Sequence, residues 1–381
     1  MVSQAERDIR WEKLKQRMDQ EGLNGIVILG SGAFGPKENG HYRFYVDNRV
    51  YYYIQAMVLG ADGEPVIICG SQTHLDVLRS RNFRDIRMVG DRIAEGIADA
   101  LVSKSITEGT VGICADQLPA SWYRFLTERL PDIRLRDVSE ALYALRCSGD
   151  GERERLTRQA AALARMGYDA ACGSLQGDAS VAVLRAEMEY AMKKNGAEEV
   201  LTLLSVPGED GHAAFPSGVP GGTIPADSKL YMIAAPRYEG YWAPICRTIL
   251  TGEADQTDEF LHRIALEALK AGAAKLTPGT QVREIAGEMK RCLRRFGCRG
   301  GASFGNVCGV DVFELDISED SQEVLSEGMT VFLRTEAMSD SMNSGICWGE
   351  TYLVTRQGGV RLCGGSSELR EVKRDGPGSR K

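Results

Sequence analysis

Four histidines occur in this 381-residue chain, and one of them is placed where it could move protons. His74 and His262 fall in runs with helical spacing, which is typical of surface positions. His212 instead lies in a glycine-containing stretch, residues 207–216. Imidazole titrates near neutral pH and can therefore accept and then return a proton during a reaction. The pattern favours His212 as a catalytic acid–base, and the alternative is an ordinary loop histidine.

Cysteine is the second residue type that could carry chemistry. Ten cysteines are spread along the chain, and no two are separated by just two residues. This spacing excludes zinc-ribbon and thioredoxin-type motifs. Cysteines without a pattern, in a chain whose first residues are charged and helical in period, predict a reducing, cytoplasmic location. A free cysteine is also a common small core residue, which is the alternative for each one.

Net charge and residue composition limit the kinds of partner that this protein could bind. The net charge is −7, with 43% apolar and 26% charged residues, which is ordinary for a soluble protein and sufficient for two cores. No basic stretch is interleaved with aromatic residues, so we expect no nucleic-acid partner. No apolar run has the length that a bilayer span requires, so we expect no membrane contact. A small-molecule substrate is the predicted partner.

Periodicity predicts two domains. Residues 1–146 alternate between helical and strand patterns, which favours an α/β domain. A long helical pattern begins near residue 152 and opens a second domain, residues 147–365. Residues 366–381 are polar and rich in glycine and charge, and we expect them to be a disordered tail.

Four short segments carry a resemblance to a known family. They are Arg237–Tyr241, Arg247–Thr248, Glu327–Phe332 and Glu350–Thr355. These segments resemble the creatinase, prolidase and methionine aminopeptidase family. The resemblance implies an α/β N-terminal domain followed by an α+β "pita-bread" domain, the fold of the family's catalytic domains.

The peptidases of that family hold two metal ions with two aspartates, one histidine and two glutamates. By resemblance, these five positions are occupied here by Ile233, Pro244, Asn306, Glu336 and Glu350. Residues 231–250 contain no aspartate. Two neighbouring divalent cations need several carboxylates, and isoleucine and proline have no side-chain donor atom. We therefore expect no bound metal and no other cofactor.

Creatinase is the family's metal-free precedent, in which carboxylates hold a guanidinium-bearing substrate. The resemblance implies that Glu336 and Glu350 bind a cationic or amidine-like group. Two carboxylates that are desolvated together need a cation, because their charges repel. The alternative is that both glutamates are relict residues, held by arginine and backbone donors.

The resemblance also supplies candidates for the rest of the pocket. Arg247, Arg334 and Arg49 could position a substrate carboxylate. The other pocket candidates are Tyr241, Asn306, Cys308 and Cys347. Family members of this type are homodimers, in which the N-terminal domain of one chain completes the partner's pocket. Residues 42–49 would then form that contact, and the alternative is an ordinary surface strand.

The leading hypothesis from the sequence is a metal-independent, creatinase-like hydrolase or lyase. It would act on a C–N bond other than a peptide bond, in a small polar, cationic or amidine-like substrate. A non-catalytic binding protein with the same fold is the alternative. A metal-dependent peptidase of the Xaa-Pro type is the third possibility.

Overall fold

The computed structural model describes residues 2–31, 40–51, 54–147, 151–175, 179–207, 222–339, 341 and 344–372. The chain divides into two compact units, residues 1–148 and 149–381. His212 lies outside the described residues. Among the described helices, none combines the length and the apolar character that crossing a bilayer requires.

Unit 1 alternates helices with short apolar strands. Its elements are α1 (Gln4–Gln20), β1 (Gly25–Gly30), α2 (Gly40–Val46), β2 (Gln55–Gly60), β3 (Pro65–Cys69), a 3₁₀ turn (Gln72–His74), α3 (Leu75–Ser80), β4 (Asp85–Met88), α4 (Ile93–Ser103), β5 (Gly109–Ile113), α5 (Ala120–Arg129), β6 (Ile133–Asp137) and α6 (Ser139–Cys147). The strands form one sheet in the order β4-β3-β2-β1-β5-β6. β1 and β2 are buried along their whole length, because their apolar runs lie at the centre of this sheet.

The segment 42–49 is not a surface strand. It forms most of α2, and all seven residues of this helix are buried. Asp47, just after the helix, is also buried, and its carboxylate lies 3.1 Å from the guanidinium of Arg81. The guanidinium of Arg49 lies over the ring of Tyr51, 4.7 Å from its centroid.

Unit 2 has helices packed on a large mixed sheet. Its elements are α7 (Gly151–Ser174), α8 (Val181–Lys194), β7 (Glu199–Ser205), β8 (Lys229–Tyr238), β9 (Tyr241–Trp242), β10 (Ile245–Leu250), α9 (Gln256–Ala274), α10 (Val282–Arg295), β11 (Gly305–Cys308), β12 (Leu315–Asp316), β13 (Thr330–Ser339), β14 (Ser344–Thr355), β15 (Gly358–Arg361) and β16 (Arg370–Glu371). The main strand order is β12-β11-β13-β14-β10-β8-β7. Unit 1 is thus the α/β domain, and unit 2 the α+β domain, that the sequence predicted.

The C-terminal segment reaches further into the fold than the sequence suggested. β16 pairs in parallel with β10, with Arg370 opposite Ile249 and Glu371 opposite Leu250. These two residues fall within 366–381, where we expected disorder. Residues 373–381 lie outside the described residues.

One glycine fixes the approach of β11 to β13. Gly305 has a φ of +116° and lies opposite Leu333. A Cβ atom at this position would lie 1.9 Å from the carbonyl oxygen of Phe332. The strand can keep its place only if this residue lacks a side chain.

We predict that Gly305→Ala lowers the free energy of unfolding by about 2–4 kcal/mol, because backbone atoms must move apart. The matched control is Gly287→Ala in α10, where the nearest atom to a new Cβ is 3.8 Å away. That change should be neutral or stabilising by up to about 1 kcal/mol. Urea unfolding of both variants measures the difference, and equal stabilities would contradict the argument.

Candidate functional site

The register of neighbouring strands decides which side chains share a face of the unit 2 sheet. Ile233 lies opposite Cys246, and Cys246 lies opposite Gly349. Gly349 in turn lies opposite Arg334 across β13 and β14. Residues directly opposite each other project to the same face. These four positions therefore define one face, which we call the site face.

Asn306 belongs to the site face as well. It lies opposite Phe332, two residues before Arg334 on the same strand. Successive side chains of a strand alternate between faces, so Phe332, Arg334 and Glu336 all project to the site face. Of the two glutamates predicted from the sequence, Glu336 is thus on this face.

Glu350 projects to the other face of the sheet. It lies opposite Leu333, so this pair is displaced by one residue from the Arg334–Gly349 pair and projects to the opposite face. Its neighbours confirm the assignment: the guanidinium of Arg247 lies 2.7 Å from its carboxylate and also lies 5.8 Å from the ring centroid of Tyr168 in α7. We call this side the helix face. The prediction that Glu336 and Glu350 hold one cationic group together is wrong, because the sheet lies between them.

The Arg247–Glu350 pair is a core interaction. Its two side chains are 0% and 3% exposed. Arg247 also donates to the carbonyl oxygens of Cys246 and Gly349, at 2.8 Å and 2.7 Å, and lies over the ring of Trp348. Burial raises the pKa of the Glu350 carboxyl, and the attraction of Arg247 counteracts that rise. This geometry assigns both residues to structure rather than to substrate binding.

Glu336 has a different partner and a different setting. It accepts a hydrogen bond from Arg334, two residues earlier on β13. The two side chains are 19% and 21% exposed, so both can be reached from solvent. Arg334 is thus the partner of Glu336, whereas Glu350 pairs with Arg247 and also lies 3.5 Å from the guanidinium of Arg361.

The site face contains a cavity of about 180 Å³. Among the described residues its lining is mostly apolar, and Arg334 is the one cationic side chain in it. The lining residues are Leu201, Leu203, Ile233, Ala235, Pro244, Ser303, Gly305, Asn306, Val312, Phe313, Asp316, Phe332 and Arg334. Three of the five positions that the resemblance assigned to metal ligands, namely Ile233, Pro244 and Asn306, meet here.

These residues do not fit the two metal ions that the fold family implies. The side chains of Ile233 and Pro244 offer no atom that could coordinate a metal ion. The side-chain nitrogen of Asn306 donates to the carbonyl oxygens of Val307 and Val312, at 3.0 Å and 2.6 Å, which fixes the amide. Among the described residues, no group of three histidine, cysteine, aspartate or glutamate side chains could hold a metal ion.

Gly349 is a further reason why the site face does not fit two metal ions. It lies opposite Arg334 on the site face, where a ligand on β14 would have to be. A Cβ atom at Gly349 would lie 2.9 Å from the carbonyl oxygen of Leu333 and 3.0 Å from the Cβ of Cys246. A carboxylate side chain could enter here only if the backbone moved. Gly349 carries only hydrogen at this position, and Arg334 lies opposite it on β13.

The cysteines near this site are buried and protonated. Cys246, Cys308 and Cys347 form one buried cluster with Tyr231 and Phe332. Burial raises the pKa of the Cys246 and Cys308 thiols to about 12, and that of Cys347 well above its usual value. Cys246 therefore does not form a thiolate with the neighbouring Arg247, because it projects to the opposite face of the sheet and is buried away from water.

The remaining candidates lie elsewhere. Tyr241 is buried in β9, outside the lining of the cavity. His262 is not an exposed helix residue, because its ring lies 4.6 Å from that of Trp348 on the helix face. His74 is 3% exposed and packs against Tyr51. The proposed role of His212 stays a prediction, since that residue lies outside the described part of the chain.

Sequence reasoning missed several cavity residues. Leu201 and Leu203 alternate along β7 and face Ala235 and Ile233. Phe313 is 44% exposed at the rim, and the next residue, Glu314, is buried against Arg153, with 3.4 Å between their charged groups. The alternation of apolar residues along β7 could have predicted Leu201 and Leu203. The loop that carries Phe313 has no such pattern.

Comparison with known proteins identifies the family of each unit and confirms the predicted pita-bread fold of unit 2. Residues 155–356 match the model of metallopeptidase family M24, and residues 10–148 match the creatinase/prolidase N-terminal domain. The X-Pro aminopeptidase of Thermotoga maritima has a similar fold, with a TM-score of 0.82 over 95% of this chain and 99% of that one, at 16% identity.

Two curated relatives show how the similarity is distributed. The Xaa-Pro dipeptidase of Pyrococcus furiosus is 28% identical over 48% of this chain and 53% of its own length. The match therefore spans about half the length of that relative. The creatinase of a Bacillus species is 23% identical over 88% of this chain and 84% of its own.

These findings correct the leading functional hypothesis. A metal-independent, creatinase-like hydrolase or lyase acting on a non-peptide C–N bond was expected. Two relatives, at 28% and 27% identity, are named Xaa-Pro dipeptidase, which agrees with the third possibility. The geometry removes the basis of the first hypothesis as well, because the paired carboxylates for a cationic substrate do not face one another.

We predict that Arg247→Met lowers the free energy of unfolding by about 3 kcal/mol or more, because it leaves Glu350 buried without its main counter-ion. Arg334→Met is the matched control, since its ion pair is partly exposed and should cost no more than about 1 kcal/mol. Urea unfolding distinguishes the two, and a small loss in both variants would mean that Arg247 is not a core residue.

We predict slow alkylation of Cys246, Cys308 and Cys347 by iodoacetamide at pH 8, because burial keeps these thiols protonated and out of reach. Cys292, half-buried on α10, is the internal reference and should react first. Mass spectrometry of peptides from native and urea-unfolded protein gives the rates. Native labelling of the cluster as fast as Cys292 would contradict the burial.

Proposed function

This chain belongs to metallopeptidase family M24, a family of hydrolytic enzymes, and from that premise we propose that its site-face cavity binds a short peptide through an apolar residue. The observation that carries the proposal is the cavity itself. Apolar side chains line it at the positions where the family resemblance implied aspartates. A buried apolar wall favours an apolar group and disfavours a charged one, which would lose its water.

The size of the cavity supports the same class of ligand. Its volume of about 180 Å³ is close to that of a cavity that accepts a benzene-sized group, on the order of 150 Å³. A prolyl or leucyl side chain has a similar size. Relatives named Xaa-Pro dipeptidase support a prolyl dipeptide as the first ligand to test.

We expect Ala-Pro to bind at least about tenfold more tightly than Ala-Asp, because the second carboxylate of Ala-Asp would be desolvated against apolar walls. Leu203→Trp should weaken Ala-Pro binding by a similar factor, since the indole fills the cavity. The matched control is Val183→Trp on α8, where the original side chain is 53% exposed. Isothermal titration calorimetry measures the affinity of the wild type for both dipeptides and the affinity of both variants for Ala-Pro. Equal affinity for both dipeptides, or no loss with Leu203→Trp, would contradict the proposal.

Hydrolysis of the same dipeptide is the second candidate, and the names of the relatives favour it. The donor atoms on the site face do not favour it. Incubating Ala-Pro with the protein, with and without Mn²⁺ or Zn²⁺, separates the two. We expect no release of free proline above the blank. Release that depends on the added metal would make peptidase activity the better description.

The proposal has two further parts. A homodimer is proposed from the family resemblance, with the N-terminal domain of one copy completing the site of the other. A cytoplasmic location is proposed from the cysteines: all ten lie within the described residues and are free thiols, as a reducing compartment would keep them.

A further inference from the structure

The described lining of the apolar cavity includes one positively charged side chain. Arg334 projects into it from β13, and its side chain is 21% exposed. A guanidinium carries five N–H donors. Among the described residues, its side chain donates only to Glu336. Donors therefore remain available at a place where few protein groups can accept them.

The surrounding charges are few. Glu336 projects from the same strand, and its carboxylate is close to Gly301, where a Cβ atom would lie 3.6 Å from Oε2. Asp316, on β12 at the rim, accepts a hydrogen bond from the Ser303 hydroxyl. No carboxylate stands across from Arg334, because the residue opposite is Gly349. The guanidinium keeps its charge beside apolar walls, where electrostatic interactions are stronger than in water.

We infer that Arg334 is the anion-binding group of the cavity and binds the terminal carboxylate of the ligand. This inference rests on the proposed function and deepens it, because it requires a ligand with a free carboxyl end next to its apolar residue. The site would then be inverted in charge: a protein cation binds an anionic ligand where the fold family places metal cations.

A carboxylate suits this arrangement better than a larger anion. The planar guanidinium forms two parallel hydrogen bonds with a carboxylate, and it can do so while one edge stays on Glu336. A phosphate carries more charge and would be repelled by Glu336, and the described lining of the cavity has no second arginine to offset that repulsion. Glu336 is a positioning residue here, since it holds the guanidinium in place.

The test compares Ala-Pro with its C-terminal amide by calorimetry on the full chain. The amide keeps the prolyl ring and loses only the charge. We expect the acid to bind on the order of tenfold to a hundredfold more tightly than the amide. Arg334→Gln should remove that preference, and Arg334→Lys should keep part of it. Arg356→Gln is the control, because Arg356 pairs with Glu327 on the surface at 77% exposure.

The outcomes separate the two levels of the proposal. If wild type binds neither compound, the proposed function is wrong. If it binds acid and amide equally, the peptide proposal stands and the role of Arg334 is overturned. A preference for the acid that survives Arg334→Gln would also overturn it. Thermal unfolding of each variant shows that the comparison is made on folded protein.

Discussion

The register between β13 and β14 is the constraint on which the rest of the site depends. Shifting a strand by one residue moves every side chain to the opposite face. With Arg334 opposite Gly349, the site face receives a guanidinium and a hydrogen atom, and Glu350 turns towards α7 and α9. A carboxylate that is present in the sequence is thus absent from the cavity. The residue type alone could not show this, because the side of the sheet is set by pairing.

Two arginine–glutamate pairs look alike in the sequence and differ in what they can do. Arg247 and Glu350 are almost fully buried, so their mutual attraction mainly offsets the free energy that the two charges lose when they leave water. Arg334 and Glu336 are about one-fifth exposed, and the guanidinium retains donors that a ligand can reach. Burial, rather than charge or spacing, therefore separates the structural pair from the pair that can recognise a ligand.

Much of the fold followed from the sequence, and less of the site did. Helical period over α7 and the motif around Arg247–Thr248 were enough for the domain order. Ile233, Pro244 and Asn306 line one cavity, because spacing along a family fold fixes which strands meet. Glu350 was assigned to the wrong face, because spacing does not reveal alternation. Phe313 reaches the cavity from a loop and Asp316 from the two-residue strand β12, and neither segment has a period from which to predict its position.

The apolar walls and the single cation depend on each other. Carboxylates clustered without metal ions would repel one another and raise their own pKa values, which costs stability. Isoleucine and proline in those places remove that cost and give the cavity apolar walls. Beside apolar walls one guanidinium attracts an anion more strongly than it would at the open surface, and a second charge on the ligand would lose water without gaining a partner. Selectivity for an apolar residue beside one carboxylate then follows from Ile233, Pro244 and Arg334 acting together.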